Sequence, residues 1–393
     1  MPTFQNKLQL FITGDLCVKE MLINDPLDSD LTKIIEESDY CVANLEGPVI
    51  KDSYNPIKKA GPHIYQQTGY EFFLQENRFN IVSLANNHIL DYGKDGLKNT
   101  LDIIEKYKIH SVGAAINFPE VYKPLIICKE GVKIALFSLA EGQFGCSRSI
   151  EYPSGFAWIM HPEITHAILS VRQEVDFIII LAHAGLEMCY LPLPEWRDIY
   201  RNFIDLGADL VVGSHPHVIQ GKEMYKGKLI YYSLGNFFFN GGGNNPLKDW
   251  SHSIALKCIF NSEHKHIKID EFYLHFDDRF LSFEENTESE ILFNENSRLL
   301  LESNISEYYS KINDQCIEAW KSYYKNYYSY YSDLKYKSGV ENKSIILKKA
   351  LFEFVKRYIV RPYQNDVLLY HNISIETHRF AVERALRNIN NIY

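Results

Sequence analysis

The sequence predicts an α/β fold followed by a helical C-terminal extension, and three features of its pattern support this prediction. Short apolar runs of strand length alternate with amphipathic segments of helical period between residues 8 and 217. Antiparallel strand pairs then continue to residue 276, and after residue 282 the chain becomes helical in period and rich in tyrosine. Because alternating strands and helices form layers with the helices outside, we predict an α/β domain at 1–282 and a helical Tyr-rich region at 283–393.

The elements of the predicted α/β domain follow from local pattern. An apolar run bounded by glycine or polar turn residues predicts a strand, and apolar residues three and four positions apart predict a helix packed on a sheet. The predicted strands are 8–13, 40–45, 81–85, 123–127, 132–139, 175–181, one entered at 208, 218–224, 229–234, 253–260 and 265–276. The predicted helices are 28–38, 70–77, 96–107, 161–174 and 194–206, and the predicted loops include 141–152, over the site, and 241–246.

Composition and charge narrow the classes of function. A formal net charge of −9 gives no excess of Lys and Arg for neutralising phosphates, so we predict no nucleic-acid partner. The seven cysteines are scattered without a Cys-x-x-Cys pair, a usage typical of reduced thiols. The first residues lack the pattern of a secretory leader, and no apolar run reaches the about 18 residues of a membrane helix. We therefore expect a cytoplasmic protein without a membrane span.

An aromatic helix face distinguishes the C-terminal region. Its side chains are three and four positions apart, so they lie on one side of a helix. Packing against the first domain, or against a second subunit in a homo-oligomer, is one explanation of this face. A stacking platform for sugars or bases is the other, and the acidic charge of the chain does not favour it. The residues are Trp320, Tyr324, Tyr327, Tyr331 and Leu334.

Metal-ligand residue types recur where apolar runs end. The run 210–212 stops at Gly213, and His215 and His217 follow at once. Similar endings follow the strands predicted at 8–13, 40–45, 81–85 and 175–181. Because the carboxyl ends of parallel strands meet at one edge of a sheet, we expect these side chains to converge. The strand-end residues are Asp15, Glu46, Asn87, His88, His183, His215 and His217.

This set of side chains predicts a metal-dependent hydrolase. Two carboxylates, one amide and four imidazoles suit Mn, Zn or Fe better than Ca²⁺ or Mg²⁺, which prefer shells of oxygen alone. Two such ions can bridge a water, lower its pKa and stabilise the attacking and leaving oxygens of a phosphoryl displacement. We therefore expect two divalent metal ions and hydrolysis by metal-activated hydroxide.

The strand-end residues belong to longer motifs with a fixed order along the chain. The motifs are Gly14-Asp15, Asn44-Leu45-Glu46-Gly47-Pro48, Asn86-Asn87-His88 with Asp91-Tyr92-Gly93, His183-Ala184-Gly185-Leu186-Glu187, Gly207-Ala208-Asp209, Gly213-Ser214-His215-Pro216-His217 and Tyr232-Ser233-Leu234-Gly235-Asn236-Phe237. In this order they resemble the CapA family of bacterial poly-γ-glutamate capsule synthesis proteins. That family is similar in turn to the calcineurin-like metallophosphoesterases. The resemblance covers about residues 8–260.

The resemblance implies a four-layer α/β/β/α sandwich with a dinuclear metal site at one edge. By its motifs, Asp15 and His217 would ligate the first metal, and Glu46 would stand in the bridging position. The second metal would be held by Asn87, His183 and His215. The resemblance also implies that His88 is the proton donor or charge stabiliser for the leaving group, so the expected catalytic residues are His88, Asp15 and Glu46.

Two positions depart from the metallophosphoesterase pattern. Cys17 stands where a histidine usually follows the first aspartate, and Asn44 or Glu46 replaces the usual second aspartate. Cys17 is interpreted either as a buried core thiol or as a thiolate ligand of a soft metal, with the core position favoured. These departures predict that one of the two metal positions binds its ion weakly, or that only one metal ion binds.

Further polar residues near the motifs are candidates for binding substrate or orienting ligands. They are Glu187, Arg197, Glu223 and Asn236. The leading hypothesis is a hydrolase of a phosphoester in a small-molecule or polymer precursor of the capsule or cell envelope. Two alternatives remain open: a hydrolase or transferase of γ-glutamyl-type amide bonds, and a catalytically degenerate capsule-assembly factor.

Overall fold

The computed structural model describes residues 6–19, 26–51, 53–67, 69–240, 248–277, 280–284, 288–325 and 364–392. The strands in these ranges are β1 Lys7–Cys17, β2 Tyr40–Leu45, β3 Ile81–Ser83, β4 His110–Val112, β5 Ala114–Ala115, β6 Leu125–Lys129, β7 Val132–Ala140, β8 Cys146–Ser147, β9 Gly155–Ala157, β10 Phe177–His183, β11 Leu210–Ser214, β12 Lys222–Tyr225, β13 Lys228–Tyr231, β14 Asn236–Phe239, β15 His252–Asn261, β16 His266–Phe276 and β17 Leu281–Phe283. The helices are α1 Ser29–Glu36, α2 Tyr70–Glu76, α3 Gly93–Lys106, α4 Pro162–Val171, α5 Pro194–Asp205, α6 Glu288–Leu299, α7 Ile305–Ala319, α8 Gln364–Ser374 and α9 Glu376–Ile389.

Two large sheets organise the strands. The first has eight strands, in the order β17-β16-β15-β1-β2-β3-β4, with β14 also paired to β1. Its strands β1 to β4 are parallel, and β15 to β17 run antiparallel beside them. The second has six strands, in the order β12-β13-β11-β10-β7-β6, with parallel pairing from β7 through β10 and β11 to β13. Both sheets therefore place the carboxyl ends of several parallel strands at a common edge.

The alternation of side chains along β1 shows why the sheets are layered. Leu8, Leu10 and Ile12 pack in a core shared with strands β7, β10 and β11 of the second sheet. Phe11, on the opposite face of β1, packs in a core shared with the apolar faces of α1, α2 and α3. Full burial of each such side chain stabilises the fold by about 1.5–3 kcal/mol.

Helix α5 lies against the outer face of the second sheet, where it contacts β11 and β13. Its aromatic residues Trp196, Tyr200 and Phe203 are buried, and the Tyr200 ring stacks on the ring of Tyr232. The order helix, sheet, sheet, helix confirms the predicted four-layer α/β/β/α arrangement.

Most of the predicted elements are confirmed within a few residues of their ends. The expected loop at 141–152 contains the short strand β8, and β4, β5, β9, β14 and β17 are additional strands. The expected loop at 241–246 lies outside the described residues. No helix in the described ranges combines the length and apolar content needed to cross a membrane.

The chain divides into two compact units. The first contains residues up to Ile57 together with His63–Ile312, and the second contains Lys58–Pro62 and the residues from Asn313 onward. Helix α6 and about half of α7 therefore belong to the first unit, and the domain boundary at 282/283 stays a prediction. Of the predicted aromatic face, Trp320 and Tyr324 lie in a helical turn, whereas Tyr327, Tyr331 and Leu334 are outside the described residues.

Candidate metal centre

The candidate site lies where the carboxyl ends of parallel strands from both large sheets meet. In the first sheet Asp15 at the end of β1 is in register with Asn44 of β2. In the second sheet His183 at the end of β10 is in register with Ser214 of β11. The backbone N–H of His215 donates to Oδ2 of Asp15 at 3.1 Å, so a direct hydrogen bond joins the two sheets here.

Asp15 is fully buried among polar partners. Asn44 donates to its Oδ1 at 2.7 Å, and Nδ1 of His183 and of His217 lie 3.6 and 3.5 Å from its two carboxylate oxygens. Burial by itself would raise the pKa of Asp15, but hydrogen bonding to His183 and the charges of His183 and His217 bring the pKa well below its usual range. The site therefore contains an ionised carboxylate between two imidazoles.

A second group of donor atoms surrounds His183. Its Nε2 lies 3.0 Å from Oδ1 of Asn87 and 3.1 Å from Nδ1 of His215. Its Nδ1 lies 3.0 Å from Oγ of Ser214. Burial lowers the pKa of His183 to about 4, an effect that Asp15 opposes and His215 reinforces. The ring is therefore neutral near pH 7, which is the form of imidazole that binds metals.

Glu46 occupies the space between two further histidines. The carboxylate is fully buried, and its Oε1 lies 3.8 Å from Nε2 of His88 and 3.8 Å from Nε2 of His217. The opposite nitrogen of each ring is held by a neighbour: Nδ1 of His88 lies 2.7 Å from Oδ2 of Asp91, and Nδ1 of His217 lies 2.9 Å from Oδ1 of Asn236. Both rings are thereby oriented toward Glu46.

The backbone brings these side chains together through unusual conformations and close contacts. His215 and His217 have φ angles of 97° and 59°, in the left-handed region that costs energy for residues other than glycine. A Cβ on Gly14 would lie 1.9 Å from the carbonyl oxygen of Gly235, and one on Gly213 would lie 2.0 Å from that of Tyr232. Only glycine allows the strand ends to approach so closely.

The donor atoms fit divalent metal ions. One ligand atom each from Asp15, Glu46 and His183 lie within 4.8 Å of one another, and the same holds for Glu187, His215 and His217. Mixed carboxylate and imidazole sets of this kind suit Zn, Mn or Fe. Asp15, Glu46 and His183 are buried at the ends of three different strands, and His215 and His217 are buried after a fourth, so the arrangement is built by the fold.

Cys17 is a core thiol in the structure. Its side chain is buried against Ile64 and Phe239, and its Sγ lies 3.8 Å from the carbonyl oxygen of Tyr65. Burial raises the pKa of the Cys17 thiol, which keeps it protonated. Within the described ranges, neither group of clustered ligand atoms includes it. This environment matches the interpretation of Cys17 as a core residue.

The structure separates the residues expected to bind substrate. Glu187 is exposed beside His215 and His217, and Asn236 holds the ring of His217. Arg197 and Glu223 instead pair with each other at 3.2 Å within a buried network beneath α5. In the part of the chain that the structure describes, neither residue contacts the clustered ligands, and their proposed role at the site stays a prediction.

Three functional candidates were missed at the sequence level. Glu141 follows β7 directly, and its Oε1 lies 3.1 Å from Nε2 of His215. Burial would lower the pKa of His215, but hydrogen bonding to Glu141 and the charge of Glu141 raise it. Asp91 orients His88, and the ring of Trp250 lies 4.5 Å from that of His217. The strand-end criterion alone could have identified Glu141, since β7 is the parallel neighbour of β10.

The fold and the site define a layered α/β protein with a cluster of potential metal-ligand side chains at its strand ends. A family model described as bacterial capsule synthesis protein PGA_cap matches residues 9–241. The chain therefore belongs to the PGA_cap family of bacterial capsule synthesis proteins, as its motifs predicted.

Curated relatives agree with this family. The capsule biosynthesis protein CapA of Bacillus anthracis is 30% identical over 251 residues, which cover 60% of this chain and 61% of the relative. The PGA biosynthesis protein CapA of Bacillus subtilis (strain 168) is 34% identical over 213 residues, covering 53% and 55%. The match thus spans somewhat more than half the length of each relative. Among solved structures, a 5'-nucleotidase from Candida albicans SC5314 is 14% identical, with a TM-score of 0.40. The match covers 77% of this chain and 56% of the nucleotidase chain.

Proposed function

We propose that the chain is a metal-dependent hydrolase of a phosphoester in the biosynthesis of a capsule or cell-envelope polymer. The observation that carries the proposal is the convergence of Asp15, Glu46 and His183 from three different strand ends, with one ligand atom each within 4.8 Å of the others. Burying such groups is costly unless they are paired or bind a metal. The family and the names of the relatives supply the biosynthetic context.

The proposed roles follow from the contacts of each side chain. Asp15 and His217 would hold one metal ion, Asn87, His183 and His215 would hold a second, and Glu46 would stand between the two. Bound divalent ions would supply Lewis-acid stabilisation of developing negative charge and lower the pKa of water in the site. Glu187 and Asn236 would orient these ligands or contact substrate. We expect the bound ions to be Mn, Zn or Fe.

His88 would donate the proton to the leaving group. Its Nδ1 faces Oδ2 of Asp91, which also accepts the backbone N–H of Ile64 at 2.7 Å. Because the carboxylate accepts a hydrogen bond from Nδ1–H, the ring is fixed and its Nε2 faces the centre of the site. When both ring nitrogens carry a proton, a ring held in this way can transfer the one on Nε2 without a change of orientation.

A second candidate function is cleavage or transfer of γ-glutamyl-type amide bonds. The name of the Bacillus subtilis relative, a PGA biosynthesis protein, favours this candidate. The same donor set could act on an amide carbonyl, because the oxygen of a tetrahedral intermediate also needs a nearby positive charge. Activity on γ-glutamyl peptides with none on phosphoesters would select this candidate.

The experiment is a hydrolase assay of the full chain with generic phosphomonoesters and phosphodiesters, with Mn²⁺ or Zn²⁺ added. We expect turnover that depends on metal. His88→Ala should lower kcat by about 10²–10⁴-fold, the usual contribution of a general acid, while the metal content stays unchanged. His264→Ala, at an exposed turn between β15 and β16, is the matched control and should have the kcat of the wild type.

Two results would contradict the phosphoesterase proposal. One is that either variant, His183→Ala or His215→Ala, turns over the ester as fast as the wild type does. The other is absence of turnover on every ester in protein shown to contain metal. If the wild type also binds no metal, the remaining reading is a capsule-assembly factor whose site is degenerate.

We further propose that the chain works in the cytoplasm on a small-molecule or polymer precursor. Cysteines without disulfides throughout the described residues accord with a reducing compartment. Association through the C-terminal helices into a homo-oligomer is part of the same proposal.

A further inference from the structure

Glu141 is a buried carboxylate beside the candidate metal centre that is neither a proposed metal ligand nor a proposed catalytic residue. Only 1% of its surface is exposed, and it follows directly after β7. Its backbone N–H donates to the carbonyl oxygen of His183 at 3.1 Å, which fixes the start of the side chain beside the end of β10. The fold therefore places a negative charge at the edge of the candidate site.

The side chain of Glu141 selects one nitrogen of His215. Its Oε1 lies 3.1 Å from Nε2 of His215, and Gln143 donates to the same oxygen at 2.8 Å. An ionised carboxylate only accepts hydrogen bonds, so Nε2 of His215 must carry a proton. In the neutral ring the lone pair is then on Nδ1, which lies 3.1 Å from Nε2 of His183.

The backbone at His215 explains why the ring needs this support. His215 follows the end of β11 and has a φ of 97°, outside the extended conformation of a strand. Ladder hydrogen bonds of β11 therefore do not fix the direction of this side chain. A carboxylate bound to the far nitrogen of a metal-ligating histidine fixes both its ring orientation and its tautomer.

We propose that Glu141 is a positioning residue for metal binding, which holds His215 with Nδ1 directed at the ion. The proposal rests on the proposed function, since it requires a metal ligated by His215. Two other roles make different predictions: Glu141 could be a ligand itself, or it could form an ion pair that only stabilises the fold.

The experiment measures binding of Co²⁺ alone to the full chain by equilibrium dialysis, with thermal unfolding as a check on folding. Glu141→Gln keeps an acceptor oxygen for Nε2 of His215 but removes the charge, whereas Glu141→Ala removes both. We expect the number of ions bound to stay that of the wild type. The affinity should fall by about 10- to 100-fold in Glu141→Gln and further in Glu141→Ala. Glu130→Gln, at the exposed turn before β7, should bind Co²⁺ like the wild type.

Three results would overturn the proposal. Unchanged affinity in Glu141→Gln and Glu141→Ala, with lower thermal stability, would show a purely structural ion pair. Loss of one bound ion per chain in Glu141→Gln would show a direct ligand. Absence of Co²⁺ binding by the wild type would overturn the proposed function as well, so this failure is distinguishable from the other two. If Glu141→Ala does not fold, the Glu141→Gln result decides.

Discussion

Asp15 and Cys17 lie two positions apart on β1, yet their environments differ completely. Asp15 contacts Asn44, His183 and His217, whereas Cys17 packs against Ile64 and Phe239. The pairing of β1 with β14 is irregular between Asp15 and Leu16, which interrupts the regular strand at this point. The residue two positions after the aspartate, Cys17, therefore does not lie among the ligand atoms of the candidate site.

We predict that Cys17→Ser leaves metal binding unchanged and lowers stability. A hydroxyl placed among apolar side chains costs about 1–3 kcal/mol when its hydrogen bonds are not satisfied. Denaturant unfolding measures the stability, and elemental analysis measures the metal content. Cys128→Ser is the control, because Cys128 is exposed and should change stability by less than about 0.5 kcal/mol. A folded Cys17→Ser protein that lacks one metal ion would show that the thiol is a ligand.

The identities of the strand-end residues were accessible from sequence because each follows an apolar run. Their convergence was inferred from the general behaviour of parallel strands, and the contacts of Asp15 with His183 and His217 are consistent with that inference. Glu141 was missed because it was assigned to a loop, although it immediately follows a strand. The φ angle of His215 could not be inferred, since it depends on how β11 meets the neighbouring sheet.

Most elements were predictable from periodicity, whereas their neighbours in the sheets were not. Strand β14 was missed because its aromatic run is short and directly follows Gly235. Its pairing with β1 joins Asn236 to Asp15 across more than half of the chain. Long-range pairings of this kind depend on the global packing of strands and leave little local signal.

The close approach of β11 to the residues after β13 predicts a strong effect at Gly213. A Cβ at this position would lie 2.0 Å from the carbonyl oxygen of Tyr232. Gly213→Ala should therefore destabilise the protein by about 1–3 kcal/mol, as overpacking does elsewhere, and shift the turn that presents His215. Urea unfolding and metal content measure the two effects.

Gly227→Asn is the matched control for Gly213→Ala. Gly227 has a positive φ, of 78°, but a Cβ there meets nothing within 4 Å, and asparagine tolerates the left-handed region. This variant should keep the stability and metal content of the wild type. A Gly213→Ala protein as stable as the wild type would contradict the close contact between Gly213 and the carbonyl oxygen of Tyr232.

Arg197 connects α5, β12 and the residues after α6. It pairs with Glu223 at 3.2 Å, donates to the carbonyl oxygen of Leu300 at 2.9 Å and lies over the ring of Tyr308 at 4.6 Å. Arg201 also pairs with Glu223. These contacts favour a structural role over the substrate-binding role predicted from sequence.

We predict that Arg197→Ala lowers the free energy of unfolding and leaves KM unchanged. The cost should be about 1–3 kcal/mol, because a buried carbonyl loses its donor while Arg201 still neutralises Glu223. Steady-state kinetics on a phosphodiester separate the two roles. A rise in KM with unchanged stability would support binding of substrate by Arg197.

At the largest scale, the strand ends of two sheets come together around the candidate metal centre. If metal binds the folded chain but not the unfolded chain, metal binding increases the stability of the whole protein. A metal present at 100 times its Kd should stabilise the protein by about 2.7 kcal/mol, a shift that a chelator should reverse.

Elemental analysis of the purified chain tests this account most directly. The chain is dialysed against a chelator and then against Mn²⁺ or Zn²⁺, and the bound ions are counted beside the same measurement on His183→Ala. We predict divalent metal bound to the wild type, with less bound to the variant, because His183 contacts ligands of both groups. Folded wild-type protein that binds no divalent metal, or binds the same amount as His183→Ala, would contradict the account.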